Sequence, residues 1–154
     1  MFIAKLTDFG YSRRYTCPTD CYNLPLSKPW EAPEVDGTDK KFSLQQAVQA
    51  DIYSYALLCA WILFDYRFPE ISIYHHANVS IDSMDSTDTR SIIAFQYLKD
   101  AGQIKSSVLD FVESDGNLED SQRLALRELF NTAFAEERRA GSQTIWESFT
   151  LLKP

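Results

Sequence analysis

The sequence predicts a mainly α-helical fold. Three observations carry that expectation. From residue 44 onward, apolar residues recur at helical spacing. Glycine-containing breaks cut this run into helix-sized pieces at 101–102, 115–116 and 141. Strand-like alternation is confined to one short stretch near the N-terminus.

Residues 2–6 alternate apolar with polar or small side chains, the pattern of a short strand, and run into Asp8-Phe9-Gly10, where Gly10 permits a sharp turn. Residues 11–29 are polar and hold Pro18, Pro25 and Pro29, which marks a loop. Pro33-Glu34 predicts a single helical turn, ended by Asp36-Gly37. Ser43 is placed to N-cap a helix over about 44–64, with Gln45 and Gln46 in its first turn. The second half of that helix, 56–64, is apolar on every face, so it is expected to be wrapped by protein. Pro69 lies beyond its end, and 70–87 reads as a long connection rich in Ser and Asp. Asp88 introduces a helix carrying Ile92, Ile93, Phe95, Tyr97 and Leu98, closed at Ala101-Gly102. A shorter amphipathic helix over 104–112 stops at Asp115-Gly116. Residues 118–134 show Leu124, Leu126, Leu129, Phe130 and Phe134 at helical spacing. After Arg138-Arg139-Ala140-Gly141, Ser142 caps a last helix through Leu151. No internal repeat is present.

At 154 residues, 45% hydrophobic and 24% charged, the chain is large enough for one domain with a sizeable core. Its net charge of −7 argues against broad nucleic-acid or anionic-membrane binding, since both want a positive surface. The longest near-continuous apolar stretch, 55–64, is short for a membrane span, and residues 1–4 are too few for a signal-peptide core. Cys17, Cys21 and Cys59 are an odd set, expected as free thiols in a reducing, intracellular and cytoplasmic setting.

Two strings carry chemistry. Asp8-Phe9-Gly10 and Ser27-Lys28-Pro29-Trp30-Glu31-Ala32-Pro33-Glu34 bracket a loop in the order and spacing of a protein-kinase activation segment. Ala50-Asp51-Ile52-Tyr53-Ser54-Tyr55 resembles the opening of that family's central helix, with Tyr53, Tyr55 and Ala56 standing where Trp, Phe and Gly are usual. Arg139-Ala140-Gly141-Ser142 is similar to its late Arg-Pro-Ser/Thr motif, departing at Ala140. The chain therefore resembles the C-terminal lobe of a eukaryotic-type serine/threonine kinase, and the Ser-Lys-Pro-Trp wording is similar to that of fungal kinase-like proteins. The resemblance implies a partial kinase domain over 1–154, with the activation segment at 1–36 and the helical lobe at 37–154.

What the resemblance implies for the site follows residue by residue. Asp8, with Phe9 and Gly10 beside it, would hold magnesium on the phosphates of ATP, because magnesium demands oxygen ligands. Ser27 would be the hydroxyl of the substrate-facing loop. Glu34 would be a buried carboxylate needing a cation, with Arg139 as first candidate and Arg138 as the alternative. Asp51 would accept charge-assisted hydrogen bonds from backbone N–H groups of the catalytic loop. Only seven residues precede Asp8, and no glycine-rich loop, phosphate-pairing lysine or His-Arg-Asp loop stands upstream of it. The expectation is a C-lobe lacking its N-lobe and catalytic loop, inactive alone, whose parent transfers phosphate from ATP to protein Ser/Thr. Two other readings stand beside it: a pseudokinase-type interaction module with a protein partner or self-association through exposed apolar surface, and a gene-model fragment.

Other residues invite weaker readings. Tyr11, Ser12, Tyr15, Thr16, Thr19 and Tyr22 crowd the loop as candidate phosphorylation sites, with Arg13 and Arg14 as charge partners. Cys17 and Cys21 with His75-His76 suggest zinc, but their spacing is irregular and the donors fall in separate loops. Ser27 lacks the Gly-x-Ser-x-Gly elbow of a hydrolase.

Overall fold

The computed structural model describes residues 10, 12–17, 19–70 and 87–135. Among them are four α-helices and one two-stranded antiparallel sheet, a mainly helical fold. The sheet is minimal: β1 (Cys21–Tyr22) pairs with β2 (Phe42–Ser43), Cys21 opposite Ser43 and Tyr22 opposite Phe42. Tyr15 tightens this corner, donating its hydroxyl to the Phe42 carbonyl at 3.0 Å while its ring meets Tyr22 edge-on at 4.9 Å.

The second strand runs directly into α1 (Leu44–Phe64), and Ser43 ends one element by starting the next. Its hydroxyl accepts from the Gln46 N–H and the Gln46 side chain accepts from the Ser43 N–H, a reciprocal capping box that satisfies two otherwise orphaned donors. A 3-10 turn, Asp65–Glu70, follows. Next come α2 (Thr87–Asp100), α3 (Ile104–Ser114) and α4 (Asp120–Ala133). At the end of α2, Gly102 adopts φ +68°. Its N–H donates to the Lys99 carbonyl and that of Gln103 to the Leu98 carbonyl, so the helix closes as a Schellman motif. The helix over 44–64 and the breaks at 102 and 115–116 stand where the sequence puts them. The residue 2–6 strand, the 71–86 part of the long connection and the last helix after Ser142 lie outside the described residues.

Between α3 and α4, Arg123 secures the turn. Its guanidinium donates to the carbonyls of Val112, Glu113, Asp115 and Leu118, so the last carbonyls of α3 find a charged donor in place of helix partners.

The core is built on rings. Phe64, Phe68, Phe95 and Phe130 are fully buried, and Phe68 meets Phe95 edge-on at 5.0 Å and Phe111 at 5.4 Å. Phe64 reaches Phe111 and Phe130, and Phe134 lies against both Phe130 and Tyr53. Ring pairs of this kind, edge-on or stacked, add about 0.5–1.5 kcal/mol each beyond the area they bury. One expectation fails here. The apolar second half of α1 is not wrapped all round: Tyr55, Leu58, Ile62 and Leu63 are exposed, Ile62 by 68%. Leu44–Phe68 is the one helix among the described residues long and apolar enough to cross a membrane by length and composition. Its Ala56, Leu57, Ala60 and Phe64 are packed inside the protein, while 44% of its most apolar window is buried in all.

Candidate functional site

The segment 27–35 folds as two successive turns. The Trp30 N–H donates to the Ser27 carbonyl at 2.7 Å and the Val35 N–H to the Ala32 carbonyl at 2.9 Å. Lys28–Pro29 is a cis peptide within the first turn. Trp30 then inserts among the rings, 5.9 Å from Trp61 of α1 and 5.5 Å from Phe95 of α2, while Ala32 and Val35 are buried.

A charge fixes this segment to α2. Lys99 Nζ donates to Glu31 Oε1 at 2.6 Å and to the Pro29 carbonyl at 2.7 Å. The Lys99 and Glu31 side chains are only 5% and 8% exposed. Such a pair holds its geometry because either charge left alone in the interior would cost several kcal/mol, of the order of 3–5. The second oxygen, Glu31 Oε2, is buried with no hydrogen-bond partner. The pairing is therefore a clamp with one unmet acceptor.

Between this segment and α1 lies a cavity of about 240 Å³, lined by Leu24, Ser27, Trp30, Glu31, Asp51 and Ser54 among others. Ser27 is exposed at it. Ser54 turns its hydroxyl back to the Ala50 carbonyl, 3.0 Å away. Asp51 is exposed as a residue, yet the protein surface beside it strips enough water to push its carboxyl above the usual aspartate range. No described residue donates a hydrogen bond to that carboxylate. The site thus presents a hydroxyl and an acceptor short of donors, backed by an indole and aliphatic walls.

Two sequence-expected residues, Ser27 and Asp51, are brought to this one cavity from 24 positions apart. Glu34 is partly buried, whereas the enclosed carboxylate of the string is Glu31. Gly10 is exposed. Asp8, Phe9, Arg138 and Arg139 lie outside the described residues, as do His75 and His76. The ATP and magnesium that the resemblance implies would engage Asp8, and no cluster of three or more His, Cys, Asp or Glu suited to a metal occurs among the described residues. Cys17 and Cys21 are free and exposed, and Cys59 is partly buried. The clamp residue Lys99 was absent from the sequence reading. Its signal was present: it stands four residues after Phe95 on the apolar side of α2, where a cation needs a carboxylate partner.

A second concavity of about 280 Å³ lies between α1 and α4, walled by Cys59, Ile62, Leu63, Leu118, Leu126 and Leu129.

No family model, no curated protein and no solved structure matches the chain.

Proposed function

We propose that these 154 residues form the C-lobe portion of a protein-kinase-like domain and serve by themselves as a docking scaffold, without phosphotransfer. One observation supports this reading most. Ser27 from the Trp-Glu-Ala-Pro-Glu string and Asp51 from the central-helix string were matched independently in sequence, and both line one cavity. In a kinase, that is where a loop bearing backbone N–H donors would meet the aspartate, and Asp51 is an acceptor short of donors here. The ring contacts of Trp30 and the Lys99 clamp hold the substrate-facing segment against the helices whatever lies in the cavity.

Phosphoryl transfer is positioning and charge stabilisation around the γ-phosphate, and its parts come from two lobes. The 154 residues contain no His-Arg-Asp tripeptide, hence no general base of that class. The protein incubated with radiolabelled ATP, magnesium and a generic protein substrate is expected to transfer no label above an Asp8→Ala control. Label above that control would overturn the scaffold reading.

A second reading, an interaction module that self-associates, is favoured by the exposed Tyr55, Leu58, Ile62 and Leu63 on α1. Light scattering separates the two. Self-association predicts a dimer or larger species that Ile62→Asp returns to monomer, and a monomer at all concentrations removes this reading.

A further inference from the structure

We propose that Cys17 and Cys21 are a reversible dithiol modification site that closes, on oxidation by a hydroperoxide, to an intrachain disulfide across the turn at 17–20. The inference stands apart from the phosphotransfer reading. Both thiols are free and exposed, and they flank one compact turn. The Asp20 N–H donates to the Cys17 carbonyl at 3.0 Å. The Asp20 carboxylate in turn accepts from the N–H groups of Thr16 and Cys17, each at 2.8 Å, and from the Thr16 hydroxyl at 3.0 Å. A turn closed in this way keeps the Cα atoms of its first and fourth residues within about 7 Å, and Cys21 is the next residue on. Bridged cysteines need Cα atoms roughly 4.4–6.8 Å apart. Cys17, Thr19 and Cys21 are all exposed, so both sulfurs are open to an oxidant in solution.

The two partners have distinct roles. Thr19 donates its hydroxyl to Cys17 Sγ at 3.6 Å, and this bond with the Thr19 backbone favours the thiolate and holds the Cys17 thiol below its ordinary range. Cys17 is therefore the attacking sulfur. Cys59 is the built-in contrast, because burial pushes its thiol up. In the first step the Cys17 thiolate attacks the distal oxygen of the hydroperoxide. The O–O bond breaks, the leaving oxygen takes a proton as alcohol or water, and Cys17 becomes a sulfenic acid. In the second, the Cys21 thiolate attacks that sulfur, the S–O bond breaks, and hydroxide leaves as water after protonation. The two thiols together lose two electrons and the peroxide gains two. Cys21 opens β1, whose partner strand runs into the N-cap of α1, so the bridge pins the loop beside the two-stranded sheet.

The test uses the whole chain, reduced, desalted and treated with hydrogen peroxide. Intact mass is then read with and without N-ethylmaleimide labelling in denaturant. The expected product has lost two hydrogens, takes one maleimide where the reduced chain takes three, and regains all three after dithiothreitol. Neither Cys17→Ser nor Cys21→Ser should lose two hydrogens, whereas Cys59→Ser should still do so and then take no maleimide. Thr19→Val should slow bridge formation several-fold at neutral pH, a change that a merely structural turn residue would not produce. The proposal is overturned if oxidation only adds oxygens, if it yields only intermolecular dimers, or if the loss of hydrogens requires Cys59.

Discussion

Lys99→Met isolates the clamp between the 27–35 segment and α2. The substitution keeps the length of the aliphatic stem and removes the ammonium that bonds both Glu31 Oε1 and the Pro29 carbonyl. Glu31 Oε2 already lacks a donor, so the variant leaves the whole carboxylate buried and unpaired, together with a carbonyl. Removing one member of a buried pair costs about 3–5 kcal/mol. For a chain of this size, at about 3 °C per kcal/mol, that corresponds to a fall in Tm of roughly 9–15 °C. The assay is thermal and urea unfolding of the wild type, Lys99→Met, Glu31→Leu and the double variant. Glu31→Leu should cost less than Lys99→Met, since it deletes the unmet oxygen and leaves Lys99 its bond to Pro29. The double variant should recover most of the loss, as buried pairs replaced by apolar residues of similar volume often do. If Lys99→Met unfolds like the wild type, or if the two single costs simply add in the double variant, the clamp does not exist as described.

Three further outcomes follow from local geometry. Ser43→Ala removes the capping box of α1 and should lower stability by about 1 kcal/mol, read by urea unfolding. Arg123→Met leaves four carbonyls at the α3–α4 turn without their charged donor, and a loss of about 2–3 kcal/mol is expected in the same assay. The third concerns pH. Asp51 has its folded carboxyl raised by desolvation, so the folded state holds that proton more tightly than the unfolded chain does. Its contribution to stability is therefore present at low pH and lost as pH rises from the ordinary aspartate value through the raised one. Asp51→Asn should thus be more stable than wild type at neutral pH and converge with it below about pH 4, the unperturbed aspartate range, in a Tm-against-pH series. Asp20, Asp36 and Asp115 act in the opposite sense, because hydrogen bonds from their neighbours lower their carboxyls. Their contribution is lost as pH falls through those lowered values.

The helices were legible because their signals are local. Ser43 and Gln46 cap α1, Gly102 takes the left-handed conformation that ends α2, and Asp115-Gly116 separates α3 from α4. Strands β1 and β2 were not, since two residues cannot display a period. Nor could composition say how much of α1 would be covered: apolarity around the whole helix reports what burial would reward, and Ile62 is exposed all the same. At the site, Ser27 and Asp51 were each singled out through the family resemblance, but their meeting at one cavity is a fact of the fold that no local pattern displays. In the clamp the paired carboxylate is Glu31, three residues before Glu34 in the same string. Lys99 on the apolar side of α2 signals the need for a carboxylate, but which one, 68 positions away, is decided by the fold.

Kinship with protein kinases makes one demand that ordinary helical packing does not: Glu34 must pair with an arginine of the 138–139 dipeptide. A double-mutant cycle measures it directly, using Glu34→Gln with Arg139→Met and with Arg138→Met in thermal or urea unfolding. The account predicts a coupling of about 1 kcal/mol or more between Glu34 and one of the two arginines, Arg139 first. Additivity within about 0.5 kcal/mol for both pairs would contradict it.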